Sequence, residues 1–215
     1  MSAQAQSSGS LERDWWLRLA LVFQAPRTVL AWLRDDTDEA AHARQEPVLL
    51  VGFLAGLAGV LSTNAIGRAL DDFGLDGVDL AVSVFFAALI YGLFGYFAFG
   101  ALVYLGEQLA GSLSTYRRSR HLLAFACAPL ALSIAVWPAR LALYGEDNFR
   151  SGGSDSGTGG SVFEGIEVGV VVWCVALMAL GIKEANGWRW PKTLAATSVP
   201  ALVPAAALAR AFGLI

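Results

Sequence analysis

The chain has 215 residues, of which 56% are hydrophobic and only 15% are charged, and its formal net charge is −3. Soluble domains usually carry about 25% charged residues, so this composition excludes an ordinary soluble protein and indicates a lipid bilayer. It leaves no room for a separate soluble catalytic domain beside the apolar runs, and no nucleic-acid partner is expected.

An amphipathic head is expected before the first apolar run, with residues 1–10 disordered and residues 11–46 forming the cytoplasmic head and linker. Apolar residues recur there at three- to four-residue steps, which is typical of a helix. Trp15, Trp16 and Trp32, with arginines close by, favour a segment that lies in the headgroup layer. Packing on the cytoplasmic ends of the spans is the alternative, and the two arrangements can coexist.

Five apolar runs follow the head, and each is long enough to cross the hydrocarbon core as a helix of about 20 residues. The runs cover approximately 47–70, 78–106, 121–144, 162–182 and 193–213. The sequence therefore predicts an all-α protein, a polytopic membrane helical bundle over residues 47–215. It would have five transmembrane helices and an N-terminal amphipathic interfacial helix.

The lysines and arginines predict the orientation of these spans, because cytoplasmic loops carry an excess of them. The head and the two connections expected on its side carry eleven, against four in the other connections and the C-terminus. We therefore expect a multi-pass protein of the cell membrane with the N-terminus in the cytoplasm and the C-terminus outside.

Small residues and prolines mark the expected helix contacts. Gly52 and Gly56 form a G-x-x-x-G pair in the first run. Such pairs let helices approach closely in lipid, so this face is predicted to be a packing seam, either within the chain or between copies. Prolines occur twice in the third run and twice in the fifth and are predicted to kink those helices: Pro129, Pro138, Pro200 and Pro204.

Ionisable side chains within a span are costly and are candidates for function. A candidate polar cluster near the outer ends of the spans contains Asn64, Arg140, Glu164 and Glu167. Glu164 and Glu167 are three residues apart and share one helix face. Arg140 is predicted either to pair with Glu167 or to extend to the outer interface.

At the cytoplasmic side, Arg117, Arg118 and Arg120 precede the third run. Together with the three tryptophans of the head they are candidate contacts for anionic lipid headgroups or for a partner. The alternative is that these arginines only fix orientation during insertion. Glu107 and His121 are expected at the cytoplasmic ends of spans, where they can reach water.

The sequence predicts no enzyme, no catalytic residue, no cofactor and no metal site. His42 and His121 have neither the spacing of metal ligands nor a nucleophile and an acidic residue beside them. Cys127 and Cys174 lie within apolar runs and are interpreted as small buried hydrophobic residues.

Three segments carry a resemblance to a known family: LVFQAPRTVLAWL in the head, GSLSTYRRSRHLLAFACAPLALSIAVW at the third run, and ALGIKEANGWRWPKTLAA after the fourth. In these segments and in its pattern of spans the chain resembles the Yip (Ypt/Rab-interacting protein) domain family in its prokaryotic form. The resemblance implies a five-span membrane protein with a cytoplasmic N-terminus, and it supplies no catalytic residues.

These observations lead to one function hypothesis and one alternative. The first is a non-enzymatic membrane protein of the Yip-domain type that binds or organises other membrane proteins or lipids. Its expected partners are membrane lipids and either another membrane protein or a second copy of the chain. The alternative is a small-solute or ion transporter or channel that uses the proline-kinked third and fifth spans.

Overall fold

The computed structural model describes residues 14–63, 66–72, 74–154 and 157–211. All regular secondary structure in these ranges is helical, which confirms the all-α prediction. The expectation of disorder for residues 1–10 and the candidate residue Asn64 lie outside the described residues.

Helices follow one another along the chain with short connections. Helix α1 covers residues 14–21. The others are α2 Pro26–Trp32, α3 Asp38–Ala43, α4 Gln45–Leu61, α5 Ala69–Asp72, α6 Gly77–Leu109, α7 Tyr116–Ala126, α8 Ala128–Ser133, α9 Trp137–Tyr144, α10 Thr158–Asn186 and α11 Trp190–Ala211. Short 3-10 segments occur at Ile66–Arg68, Ile134–Val136 and Gly145–Phe149.

Three helical stretches within the described residues are long and apolar enough to cross a membrane: Gly77–Leu109, Tyr116–Phe149 and Thr158–Asn186. Helix α4 is also apolar but shorter, because it ends at Leu61 rather than near the end of the predicted run. The Thr63 hydroxyl donates to the carbonyl oxygen of Val60 at 2.7 Å, and this local bond competes with a further helical turn. The fold is that of a membrane protein with several apolar helices.

The predicted third run is interrupted beside each of its prolines. Cys127 separates α7 from α8 two residues before Pro129, and a 3-10 segment precedes Pro138. Pro138 lies in the first turn of α9, where a missing N–H costs no helical hydrogen bond. By contrast, Pro200 and Pro204 lie inside the continuous helix α11.

The chain divides into two compact units. Unit 1 contains the residues up to Val51, Tyr96–Ala128 and the residues from Cys174 onwards, and unit 2 contains Gly52–Gly95 and Pro129–Trp173.

In unit 1 the head packs into the hydrophobic core. Trp15 is 2% exposed, and its ring centroid lies 5.6 Å from that of Phe125 in α7. Leu30 of α2 is fully buried, and a Cβ placed on Gly181 of α10 would lie 3.3 Å from its Cδ2. The head is therefore part of unit 1, which is the packing alternative that the sequence left open.

In unit 2, helices α4 and α6 approach each other at glycine residues. A Cβ added to Gly56 of α4 would lie 2.5 Å from the Cα of Gly92 in α6. A Cβ added to Gly92 would lie 2.6 Å from the carbonyl oxygen of Gly52. The two backbones are therefore in direct contact along the predicted small-residue seam, and the partner of that seam lies within the same chain.

Candidate functional site

A buried carboxylate lies at the centre of a polar network in unit 1. Glu107, in the last turn of α6, is 0% exposed. Its Oε2 accepts hydrogen bonds from the hydroxyls of Ser119 at 2.5 Å and Ser114 at 3.2 Å. Its Oε1 accepts from Nδ2 of Asn186 at 2.6 Å. The expectation that Glu107 reaches water is wrong, because these three donors replace its hydration.

Arg118 supplies the positive charge for this carboxylate. Its Nη2 lies 3.7 Å from Oε1 of Glu107 and donates to Oδ1 of Asn186 at 2.7 Å. The Ser112 hydroxyl donates to the same Oδ1 at 2.6 Å. We call Glu107, Ser112, Ser114, Arg118, Ser119 and Asn186 the polar network. It joins α6, α7, α10 and the 110–115 loop.

The local sequence explains how the 110–115 loop returns its serines to Glu107. Gly111 has φ +78°, a left-handed conformation that glycine adopts without strain. The N–H of Ser112 donates to the carbonyl of Glu107 at 2.9 Å and that of Gly111 to Gln108 at 2.8 Å, as in a Schellman motif. Thr115 then caps α7 by accepting from the N–H of Arg118 at 3.1 Å.

A buried arginine connects the linker of the head to α7. Arg44 is 0% exposed, and its Nε donates to Nδ1 of His121 at 2.6 Å. Its Nη1 donates to the carbonyl of Asp35 at 2.6 Å, and its Nη2 to Oδ1 of Asp36 at 2.9 Å. Because Nδ1 of His121 accepts a hydrogen bond, the imidazole is neutral in this arrangement. His121 is buried, so the expectation that it reaches water is also wrong.

Arg117 completes this connection. Its Nη1 donates to Oδ1 of Asp38 at 2.6 Å, and its Nη2 donates to the carbonyl of Asp36 at 2.5 Å. Thr115 also donates its hydroxyl to the Asp36 carboxylate. The hydrogen bond and charge from Arg117 hold the pKa of the Asp38 carboxyl below its usual value. Arg117 thus donates hydrogen bonds to Asp36 and Asp38, although its side chain is partly exposed.

Arg120 differs from Arg117 and Arg118, the other two arginines of the first turns of α7. Its guanidinium carbon lies 5.1 Å from the ring centroid of Tyr96 and 4.7 Å from those of Phe97 and Tyr116. Its Nε, like that of Arg118, is enclosed without a hydrogen-bond partner. A Cβ on Gly100 would collide with Cγ of Arg120, so the glycine makes room for the side chain.

The three tryptophans of the head have different surroundings. Trp15 is buried, whereas Trp16 and Trp32 are 37% and 38% exposed. The guanidinium carbon of Arg18 lies 4.4 Å from the Trp32 ring centroid and 4.6 Å from that of Trp15. Trp16 and Trp32 therefore offer surface to a ligand, and Trp15 does not.

The candidate outer polar cluster lies in unit 2. Nη1 of Arg140 donates to Oε1 of Glu167 at 3.0 Å, so the ion pair suggested by the sequence is formed. Nε of Arg140 donates to Oδ1 of Asn148 at 2.9 Å. Asn148 in turn donates to the carbonyl of Gly145 at 2.9 Å. Sequence reasoning missed Asn148, and Glu164 is exposed.

A double-mutant cycle tests the Arg140–Glu167 pair. Arg140→Gln and Glu167→Gln are each expected to destabilise the protein, because each removes one charge of a partly buried ion pair. The double variant is expected to lose less than the sum of the single losses, by about 0.5–3 kcal/mol. Thermal unfolding of the purified protein in detergent measures these differences. Additive losses would show that the pair contributes nothing.

Within the described ranges, no group of three or more histidine, cysteine, aspartate or glutamate side chains could hold a metal ion. The structure places Glu107 among hydroxyl, amide and guanidinium donors, which is an arrangement that holds a loop and three helices together.

Comparison with known proteins gives one family. Residues 20–210 match the Yip1 domain. This range extends from the end of α1 into α11 and includes the polar network, the Arg44 contacts and the outer cluster. No curated protein and no solved structure matches the chain significantly. Since the matched domain covers most of its length, the chain belongs to the Yip1 domain family.

Proposed function

We propose that this protein is a non-enzymatic, five-span protein of the cell membrane, of the prokaryotic Yip type, that binds or organises lipids and other membrane proteins at its cytoplasmic face. Five spans require α4 and α11 to cross as well. Helix α11 has 22 residues and is long enough. Helix α4 has 17 residues, about 26 Å, and a bilayer can thin locally to accommodate it.

The exposed face of the head is the observation that carries this proposal. Large apolar side chains remain at the surface there: Trp16, Leu17, Leu21 and Trp32. Arg18 lies over the Trp32 ring, and the combination of tryptophan with arginine is typical of the headgroup layer. Because the opposite face of the head is fixed in the core of unit 1, little conformational freedom is lost on binding.

Tryptophan replacement tests the role of this face. The double variant Trp16→Leu, Trp32→Leu keeps the apolar character but removes the rings that favour the interface. We expect it to recover less anionic phospholipid on purification and fewer crosslinked proteins from native membranes. Trp173→Leu is the matched control, since Trp173 is an exposed tryptophan in the middle of α10. Equal recovery by both variants would contradict the proposal.

The alternative is a transporter or channel for a small solute or ion. The interruptions of the third run, at Cys127 and at Ile134–Val136, support it, because broken helices form the binding sites of many transporters. Purified protein in liposomes provides the test. Flux of any member of a panel of ions and solutes would favour the alternative over the organising role.

A further inference from the structure

The arginines of the 115–120 region differ in what neutralises them. Arg117 pairs with Asp36 and Asp38, and Arg118 lies against Glu107 and Asn186. Among the described residues, the Arg120 side chain makes no ion pair and no hydrogen bond. Its guanidinium lies against the faces of aromatic rings. Aromatic faces stabilise the plane of a guanidinium but leave its N–H groups without acceptors.

The side chain of Arg120 is held in place. The hydroxyl of Tyr116 donates to the carbonyl of Phe97 at 2.8 Å, which fixes one ring of the aromatic group against α6. Gly100 leaves space for the aliphatic part of the arginine. Arg120 is partly exposed while its Nε is enclosed, so the two terminal nitrogens are the atoms that can meet a ligand.

The length of α6 gives the depth of this position. The helix has 33 residues, about 50 Å, whereas the hydrocarbon core is about 30 Å thick. If Gly77 is taken as the outer boundary of the core, a count of about 20 residues places the inner boundary near Tyr96 and Phe97. Phe97 is exposed, as expected for a ring that meets lipid at this boundary. On this count, and with the membrane orientation of the proposed function, Arg120 lies at the level of the lipid phosphates.

From these observations we infer that Arg120, held by the rings of Tyr96, Phe97 and Tyr116, binds the phosphate of an anionic phospholipid in the cytoplasmic leaflet. The guanidinium is planar and presents paired N–H groups that match two phosphate oxygens. Arg117 and Arg118 instead face carboxylates of the protein. The inference rests on the proposed function, which supplies the orientation of α6 in the membrane.

The test compares phospholipid binding by variants of the full chain. Wild-type protein in detergent is titrated with phosphatidylglycerol, or with phosphatidylcholine as a neutral reference, and bound lipid is counted by native mass spectrometry. Arg120→Gln is expected to weaken phosphatidylglycerol binding about fivefold. Arg189→Gln removes an exposed arginine elsewhere in unit 1 and is expected to leave binding unchanged.

Arg120→Lys keeps the charge and the aromatic contacts but loses the paired geometry, so it guards against a folding defect in Arg120→Gln. It is expected to unfold at the wild-type temperature and to bind phosphatidylglycerol more weakly than wild type. Wild-type affinity in both Arg120 variants would overturn the inference. Competition by free inorganic phosphate would also overturn it, because the ligand would then be a soluble anion.

The inference and the proposed function fail separately. If both Arg120 variants bind phosphatidylglycerol normally while the Trp16→Leu, Trp32→Leu variant loses its crosslinked partners, only the assignment of Arg120 is wrong. If the tryptophan variant keeps all its partners and lipids, the proposed function is wrong whatever Arg120 binds.

Discussion

Replacing Glu107 with alanine is expected to destabilise unit 1 by about 3–5 kcal/mol, the usual cost of removing one partner of a buried ion pair. The substitution leaves the Arg118 guanidinium, which is 13% exposed, without a carboxylate. It also removes the acceptor of the Ser114 hydroxyl and one of the two acceptors of the Asn186 amide. Unpaired donors enclosed in protein cannot recover their bonds to water.

Chemical unfolding in mixed detergent micelles measures the loss. Glu107→Gln keeps the size and one carbonyl acceptor but removes the charge, so it is expected to fall between alanine and wild type. Glu46→Ala removes an exposed glutamate in the first turn of α4 and should change stability by no more than about 0.5 kcal/mol. If Glu107→Ala and Glu46→Ala unfold at the same denaturant concentration, the polar network does not stabilise the fold.

The sequence predicts where the helices of this protein lie along the chain better than it predicts which residues contact one another. The run at 78–106 corresponds to α6, Gly77–Leu109, because a continuous apolar stretch with no proline leaves one favourable conformation in lipid. The prolines of the third run likewise coincide with its interruptions. Composition and local chemistry determine both features, so no knowledge of distant contacts is needed.

The burial of Glu107 could not be predicted in the same way. Its position at the end of an apolar run indicates depth along the helix, but not which groups surround it. Asn186, which donates to it, is 79 residues away in the chain. The local signal was the pair Gly111 and Thr115, a helix-ending glycine followed by a helix-capping threonine, which together indicate a tight return of the chain.

The head illustrates a second limit. The apolar residues that recur there at three- to four-residue steps include Trp15 and Val22, which are buried. Periodicity cannot distinguish burial in lipid from burial in protein, however, because both surroundings are apolar. The contacts that decide the matter for Trp15 come from Phe125, far along the chain. The burial of Arg44 was not predicted either, because His121, which accepts from its Nε, is 77 residues away.

Gly56→Ala is expected to destabilise unit 2 by about 1–3 kcal/mol, the usual cost of overpacking. The new methyl group would lie 2.5 Å from the Cα of Gly92 and 2.6 Å from the carbonyl oxygen of Ala88. Both obstacles are backbone atoms, which cannot rotate away as a side chain can. Helices α4 and α6 would therefore have to separate along this seam, at the expense of the contacts on either side.

Gly52→Ala provides the matched control, one turn earlier in the same helix. A Cβ at Gly52 meets no atom within 4 Å. Alanine also favours a helix over glycine by about 1 kcal/mol, so this variant should be as stable as wild type or more so. The two substitutions share their chemistry and their effect on membrane partitioning, so the difference between their unfolding temperatures reports the contact of Gly56 with the backbone of α6 at Ala88 and Gly92. Equal unfolding temperatures would mean that α4 and α6 do not approach at Gly56. A change in the oligomeric state of Gly52→Ala would instead assign this part of the seam to a second copy.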